Sequence, residues 1–526
     1  MDTIVKNLPI GLQDFEKIIR NNYLYVDKTK VIYEMINRGM CYFFSRPRRF
    51  GKSVLISTLE ALFANKKELF KGLWIEQSPY VWQKHPIIRL DFSAIPHANT
   101  QELERGICKR LKHIAQEYGI DLAIEQETRA NTLVTDLIIG LAKRNSVVIL
   151  IDEYDKPILD VLHDGSATHE NQKILASFYA ALKAADQYIR FIFITGIGRI
   201  SRTSLFSGLN NLNDITFRDE YAYLVGYSPE ELAAFAPYIE YIATTQHTTA
   251  NDIVTILRDW YNGFRFSYSP LTVYNPFSII RYLESGVLAN YWFESATPSF
   301  LVHLIKKNQY TFDGETIAQV DGSMVSAQAD KTYPVEKFPI IPLLFQTGYL
   351  TIKEYIKETN QFVLTYPNRE VRESFLTLFA QELVGVPENR LSVFTNELRA
   401  MLESLDFKNF FDVFKTFFAG IPYEIQIPLE RYYQSLFYVI LKLIGADIIV
   451  EKRTNIGRID AVIETKNSII ITEFKIDGSA EDALQQILDK KYYESYLHMN
   501  KEIILLGVSF STQNRNIDEW STMDLI

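Results

Sequence analysis

Eight residues, Arg46-Pro47-Arg48-Arg49-Phe50-Gly51-Lys52-Ser53, constrain this chain more than any other stretch. Ahead of them, Cys41-Tyr42-Phe43-Phe44 reads as a short buried strand. Behind them, Val54, Leu55, Ile56, Leu59, Leu62 and Phe63 recur at helical spacing. A strand, a loop ending in Gly-Lys-Ser and a helix let backbone N–H groups and a helix N-terminus face phosphate. The lysine then reaches the terminal phosphates and the hydroxyl holds magnesium. Arg49, Gly51, Lys52 and Ser53 are the nucleotide-binding candidates here. The usual spacing asks for glycine at position 46, where this chain has arginine. Arginine reaches positive φ only at a cost, so the loop is expected to turn differently there. Gly-Lys-Ser is short enough to arise by chance, so the reading depends on the rest of the chain.

At 526 residues, 47% of them apolar, the chain has material for two to four domains with cores of their own. No apolar run approaches the ~20 residues of a membrane span, and the first residues lack the basic-then-apolar pattern of a signal peptide. Cys41 and Cys108 are the two cysteines, which excludes a disulfide framework and a cysteine metal site. A cytoplasmic protein is the expectation. A net charge of −9 argues against a surface coated with phosphate-binding residues. It leaves room for a local basic patch that contacts nucleic acid.

Residues 85–92 and 146–151 and the run Arg190-Phe191-Ile192-Phe193-Ile194 read as further strands, with a helix from Gln101 to about Tyr118. Strands alternating with helices imply a parallel α/β sheet with functional residues at the strands' carboxyl ends. The strand 146–151 delivers Asp152 and Glu153. Asp152 would hold magnesium with Ser53, and Glu153 would polarise the attacking water. The plainer reading is two acids capping the next helix. Thr195 ends the following strand and could sense the terminal phosphate, with Arg199 a weaker partner. Asp27 and Thr29 are read as helix caps rather than nucleotide contacts. From about Asp219 the pattern turns helical, and the aromatic patches at 260–264, 274–278 and 291–292 read as core of a helical lid. Residues 343–351 and 361–364 read as a strand pair, the wing of a winged-helix-like module. The expected domains are 1–218, 219–420 and 421–526.

The C-terminal hundred residues carry separate chemistry. Strands are expected at 448–452, 457–464 and 468–476. If Lys466-Asn467 is a two-residue hairpin loop, Thr465 pairs with Ser468, Asp460 lies across from Glu473 and Arg458 across from Lys475. Opposed residues share a face, and Glu473 and Lys475 share it by alternation. Two carboxylates side by side in an apolar sheet call for a cation, magnesium or manganese. Lys475 would help activate water and Glu430 would complete the metal shell. Gln486, on a following helix, would position the water or touch the scissile strand. Lys490, Lys491, Tyr492 and Tyr493 form a basic-aromatic cluster suited to phosphates and bases, or simply a solvated face. The plain alternative for the acids is an exposed ion pair on a surface hairpin.

Leu8-Pro9-Ile10-Gly11, Tyr25-Val26-Asp27-Lys28-Thr29, the loop 46–53, the segment 150–157 (Leu-Ile-Asp-Glu-Tyr-Asp-Lys-Pro) and Tyr274-Asn275-Pro276-Phe277-Ser278 recur in one bacterial family. So do Gly457-Arg458-Ile459-Asp460, Glu473-Phe474-Lys475 and Gln486-Ile487 before a Lys-Tyr cluster. On these the chain resembles proteins that join an AAA-ATPase-like domain to a C-terminal PD-(D/E)xK nuclease-superfamily domain. The resemblance implies a P-loop NTPase sheet, a helical middle region and a restriction-endonuclease-like α/β domain. It also implies metal acids at Asp460 and Glu473, with Lys475 completing the motif. The expected partners are ATP, magnesium and nucleic acid, DNA ahead of RNA, with homo-oligomers common among such ATPases. A signalling or scaffold NTPase, whose last domain only binds nucleic acid or protein, is the rival.

Overall fold

Val147-Val148-Ile149-Leu150-Ile151 is apolar at every position, and such a strand must be covered on both faces. In the computed structural model it is second in a five-stranded parallel sheet. The strands are Cys41–Ser45 (β1), Ile87–Asp91 (β2), Val147–Asp152 (β3), Ile189–Gly196 (β4) and Asn213–Asp214 (β5), in the order β2-β3-β4-β1-β5. The structure describes residues 6–122, 129–161, 164–198, 205–206, 208–292, 316–321, 340–384, 388–419, 437, 439–441, 443–444, 447–453 and 458–525.

Helices Thr100–Glu117, Ala130–Ala142 and Gly165–Ala184 cover one face, where Leu103, Ile107, Leu111, Leu137 and Phe178 share a core with Ile149, Ile192 and Ile194. The alternate residues Phe191 and Phe193 face the other way, and Phe63 of helix Lys52–Phe63 meets Phe191 at 5.2 Å. Each such buried side chain contributes about 1.5–3 kcal/mol relative to exposure. Because β4 lies between β3 and β1, the ends of β3 and β4 and the loop after β1 emerge together at the carboxyl edge.

The chain forms two compact units, residues 1–300 with 318–371, and 301–317 with 372–526. In the first, helices Ala236–Thr245, Ala250–Tyr261 and Pro276–Ser285 build a second core around Leu257, Tyr261 and Ile279. The strand expected over 343–351 is instead helix Ile340–Thr347, and the hairpin begins at Thr351, running Thr351–Ile356 and Gln361–Thr365. A short apolar run does not distinguish the two by periodicity. Here the Thr347 hydroxyl donates back to Leu343 O (2.7 Å), a bond of the helical turn.

In the second unit, Asp447–Arg453 (β6), Arg458–Glu464 (β7), Ser468–Ile476 (β8), Glu502–Ser511 (β9) and Asn516–Asp524 (β10) form a sheet in that order. β8 and β9 are parallel and the other pairs antiparallel. Helix Ala480–Asp489 places Leu484 and Ile487 against Ile469, Ile471, Ile503 and Leu505. Phe474 and Phe510 point to the opposite face, against Phe437 (5.2 Å) and Phe418 (5.9 Å). Strands β8 and β9 are therefore buried on both sides. Among the described residues no helix is long and apolar enough to cross a membrane.

Candidate functional site

The loop 46–53 runs from the end of β1 to the N-terminus of helix Lys52–Phe63, with left-handed backbone at Arg49 (φ 67°) and Gly51 (φ 92°). Arg46 is not among the positive-φ residues, so the departure from glycine is accommodated by moving the turn. Its side chain is 1% exposed, lying over the rings of Phe44 (4.3 Å) and Phe266 (4.6 Å). It donates to the carbonyls of Ser45 (2.9 Å) and Thr216 (2.8 Å). Burial pushes its guanidinium down to about 9 while Asp214 opposes the shift, so it stays charged at neutral pH.

Lys52 is buried and donates to the carbonyls of Arg46 (2.9 Å) and Pro47 (2.8 Å). Burial lowers its pKa, opposed by Asp152, Glu153 and Asp155. The Ser53 hydroxyl donates to Asp152 Oδ2 (2.8 Å) across 99 residues of sequence. Asp152 is buried, which raises its pKa against the pull of Lys52 and Ser53. Glu153 has φ 50°, and its N–H donates to Asp152 Oδ1 (3.0 Å). A non-glycine residue there carries about 1–3 kcal/mol of strain, a condition that concentrates at functional sites. Thr195, near the end of β4, is fully buried and its Oγ1 has no hydrogen-bond partner among the described residues.

A cavity of about 460 Å³ opens over Gly51, Lys52, Ser53 and Glu153. One part of its wall is apolar, from Ile10-Gly11-Leu12, Leu24-Tyr25-Val26, Phe277 and Ile280, and Lys28, Lys156 and Arg281 add charge to a slot of small-ligand size. Arg49 lines it with its guanidinium over the Phe277 ring (4.6 Å). The aromatic patches do more than fill a core, because they hold the loop. Phe50 packs edge-on against Phe264 (4.8 Å), and Trp292 Nε1 donates to Arg48 O (3.1 Å). Periodicity could not show this. Asp27 accepts from Thr29 N (2.8 Å), the first N–H of helix Thr29–Arg38, and from Trp74 N (2.6 Å), whereas Thr29 is itself the first helical residue and its hydroxyl accepts from Ile75 N (3.1 Å) instead of capping. Arg199 lies outside the described residues.

In the second unit the β7–β8 register is Ala461–Thr472 through Glu464–Ile469, with Thr465 N donating to Ser468 O (2.9 Å). Continued one step, it sets Asp460 across from Glu473. The expected Arg458–Lys475 pair lies beyond the ladder, where the Asp460 carboxylate takes the N–H of Phe474 (2.9 Å) in place of a backbone carbonyl. Glu473, 3% exposed, and Lys475 face helix Ala480–Asp489. Gln486 of that helix accepts from Lys475 Nζ (2.5 Å) and donates to Glu473 Oε1, so one amide bridges both groups. The structure thus brings Asp460, Glu473, Lys475 and Gln486 together, and Glu430 lies outside the described residues. Tyr492 is buried with Tyr496 in the sheet's core, so the basic-aromatic cluster loses that ring as an open stacking platform. Lys491 pairs with Glu494 (3.3 Å).

Both donor sets suit a hard divalent cation. Ser53 and Asp152 offer a hydroxyl and a carboxylate already in contact. Asp460 and Glu473 offer two carboxylates on one face. Among the described residues no three His, Cys, Asp or Glu side chains form a cluster able to hold a metal. Substrate phosphate or Glu430 would have to supply the remaining ligands.

A family model described as a predicted AAA-ATPase matches residues 9–206, and one for the PD-(D/E)XK nuclease superfamily matches residues 429–520. The chain belongs to the family that joins these two domains. A protein of Azotobacter chroococcum mcd 1, described as "Uncharacterized protein in vnfD 5'region", is 35% identical to it over 524 residues. The match covers 97% of this chain and 98% of that protein.

Proposed function

We propose that the chain binds and hydrolyses ATP with magnesium at its first site and cleaves phosphodiester bonds of nucleic acid at its second. The observation that carries the reading is the meeting of Glu473, Lys475 and Gln486 on one half-buried face of the sheet, with Asp460 opposite on the neighbouring strand. A retired fold that only bound a partner would have no need of all four. At the first site Lys52 would leave the Arg46 and Pro47 carbonyls for the terminal phosphates, and Glu153 would orient and deprotonate the attacking water. At the second, Asp460 and Glu473 would hold the cation, with magnesium ahead of manganese. Lys475 would orient the nucleophile, and Gln486 would keep Lys475 and Glu473 in register. A bound cation would draw charge from the phosphate oxygens and favour water ionisation at both sites. DNA is the favoured substrate, and ATP would control the cutting.

The test incubates purified protein with plasmid, single-stranded DNA and RNA, with and without magnesium and ATP, beside Asp460→Ala and Lys52→Ala. Magnesium-dependent cutting that vanishes in Asp460→Ala is the expected result, with Lys52→Ala reporting whether ATP gates it. ATP binding with no cutting under any condition would move the scaffold reading to first place.

A further inference from the structure

Asp155 stands in the turn after β3, where its place before Lys156-Pro157 suits an N-cap, yet it makes no side-chain capping bond. The carboxylate instead reaches across to the segment after β4. It is fully buried and accepts from Ile197 N (3.0 Å) and Gly198 N (2.9 Å). The neighbouring Tyr154 adds two more ties, its N–H to Thr195 O (3.1 Å) and its hydroxyl to Gly198 O (2.9 Å). The two segments touch at Gly196, where an added Cβ would stand 2.5 Å from the Tyr154 ring and 2.6 Å from Asp155 Oδ1. No other residue admits that approach.

A buried carboxylate is an expensive way to hold a turn. Burial raises the Asp155 pKa to about 6, against the bond from Gly198 N–H, which favours the charged form. What the turn holds is Thr195, whose buried hydroxyl has no partner within the described residues. β4 places Thr195 between β3, which carries Asp152, and β1, which leads into the phosphate-facing loop, on the face it shares with Phe191 and Phe193 under helix Lys52–Phe63. A ligand oxygen arriving there would satisfy it.

We propose that Asp155 is a positioning residue for nucleotide hydrolysis, fixing the turn from Thr195 to Gly198 so that the Thr195 hydroxyl meets the terminal phosphate opposite Glu153. The proposal rests on the nucleotide reading of the first site and adds a residue to it.

The test uses the full chain as wild type, Asp155→Asn, Thr195→Val and the double variant. It measures kcat and KM for magnesium-ATP and the affinity for a fluorescent ADP analogue. The expected result is a kcat lower by about tenfold or more in each single variant, with KM and ADP affinity nearly unmoved. The double variant should be no slower than the slower single, since both act through one hydroxyl. Asp155→Asn with kcat within about twofold of wild type, or two losses that multiply, overturns the proposal alone. Wild type that hydrolyses no nucleotide overturns the reading beneath it. Should the variants fail to fold, amide exchange in wild type decides: the Ile197 and Gly198 amides should be slowed further by a non-hydrolysable ATP analogue than by ADP, and an equal response overturns the proposal.

Discussion

His97 keeps both ring nitrogens engaged, Nδ1 toward Ile95 O (2.6 Å) and Nε2 toward Asp160 Oδ2 (3.1 Å), the arrangement of an imidazolium. The Asp160 hydrogen bond, opposed by burial, raises the His97 pKa above its ordinary 6.5. Burial would raise Asp160, but the bonds from His97 and Lys156 outweigh it and hold the carboxyl at about 2. A raised histidine contributes stability that is full below pH 6.5 and lost as pH climbs through the folded-state pKa. A depressed aspartate contributes above its ordinary 3.8 and loses it as pH falls toward 2. The pair is therefore at full strength between about pH 4 and 6.5. His97→Gln should cost about 1 kcal/mol at pH 6, discounted for the half-exposed Asp160. The difference should shrink by pH 9, as urea unfolding at the two pH values would show.

Helix Ala480–Asp489 is the element on which the second site depends, since it carries Gln486 to Lys475 and Glu473. Its start is well satisfied: Ser479 Oγ accepts from Asp482 N (3.0 Å), and Glu519 accepts from Ala480 N (2.6 Å). β9 passes so close beneath it that a Cβ on Gly507 would stand 2.1 Å from Ala480 O, a backbone atom with little room to yield. Gly507→Ala should therefore push the helix off the sheet. We expect a loss of about 1–3 kcal/mol, read as a lower urea midpoint, together with loss of the phosphodiester cleavage proposed for this site. Unchanged stability would show that the sheet bends to accept the methyl.

At the scale of the whole chain, two compact units with separate cores should answer a ligand separately. ATP at about 100 times its Kd stabilises the state that binds it by about 2.7 kcal/mol. In calorimetry, magnesium-ATP should raise one transition by a few degrees and leave the other in place. Lys52→Ala should abolish the shift. A single transition that moves as a whole would show that the units unfold together.

Much of this was legible in sequence because it depends on a few adjacent residues. The two-residue connection Lys466-Asn467 and period-two alternation are enough to set Asp460 across from Glu473 and put Lys475 beside it. The apolar strands and the helical spacing after Ser53 likewise place the nucleotide loop and the acids Asp152 and Glu153 at one sheet edge. Tertiary structure decided the rest. Arg46 finds its carbonyl partner 170 residues away in Thr216, and Arg48 its indole 244 residues away in Trp292. Asp155 stands at the N-cap position of a short helix and serves instead as a tie to the segment after another strand. Residues 340–347 became helix, and Tyr492 became core. Period and turn length are properties of neighbours in the chain, whereas the partner of a buried polar group is set by which distant elements pack against it.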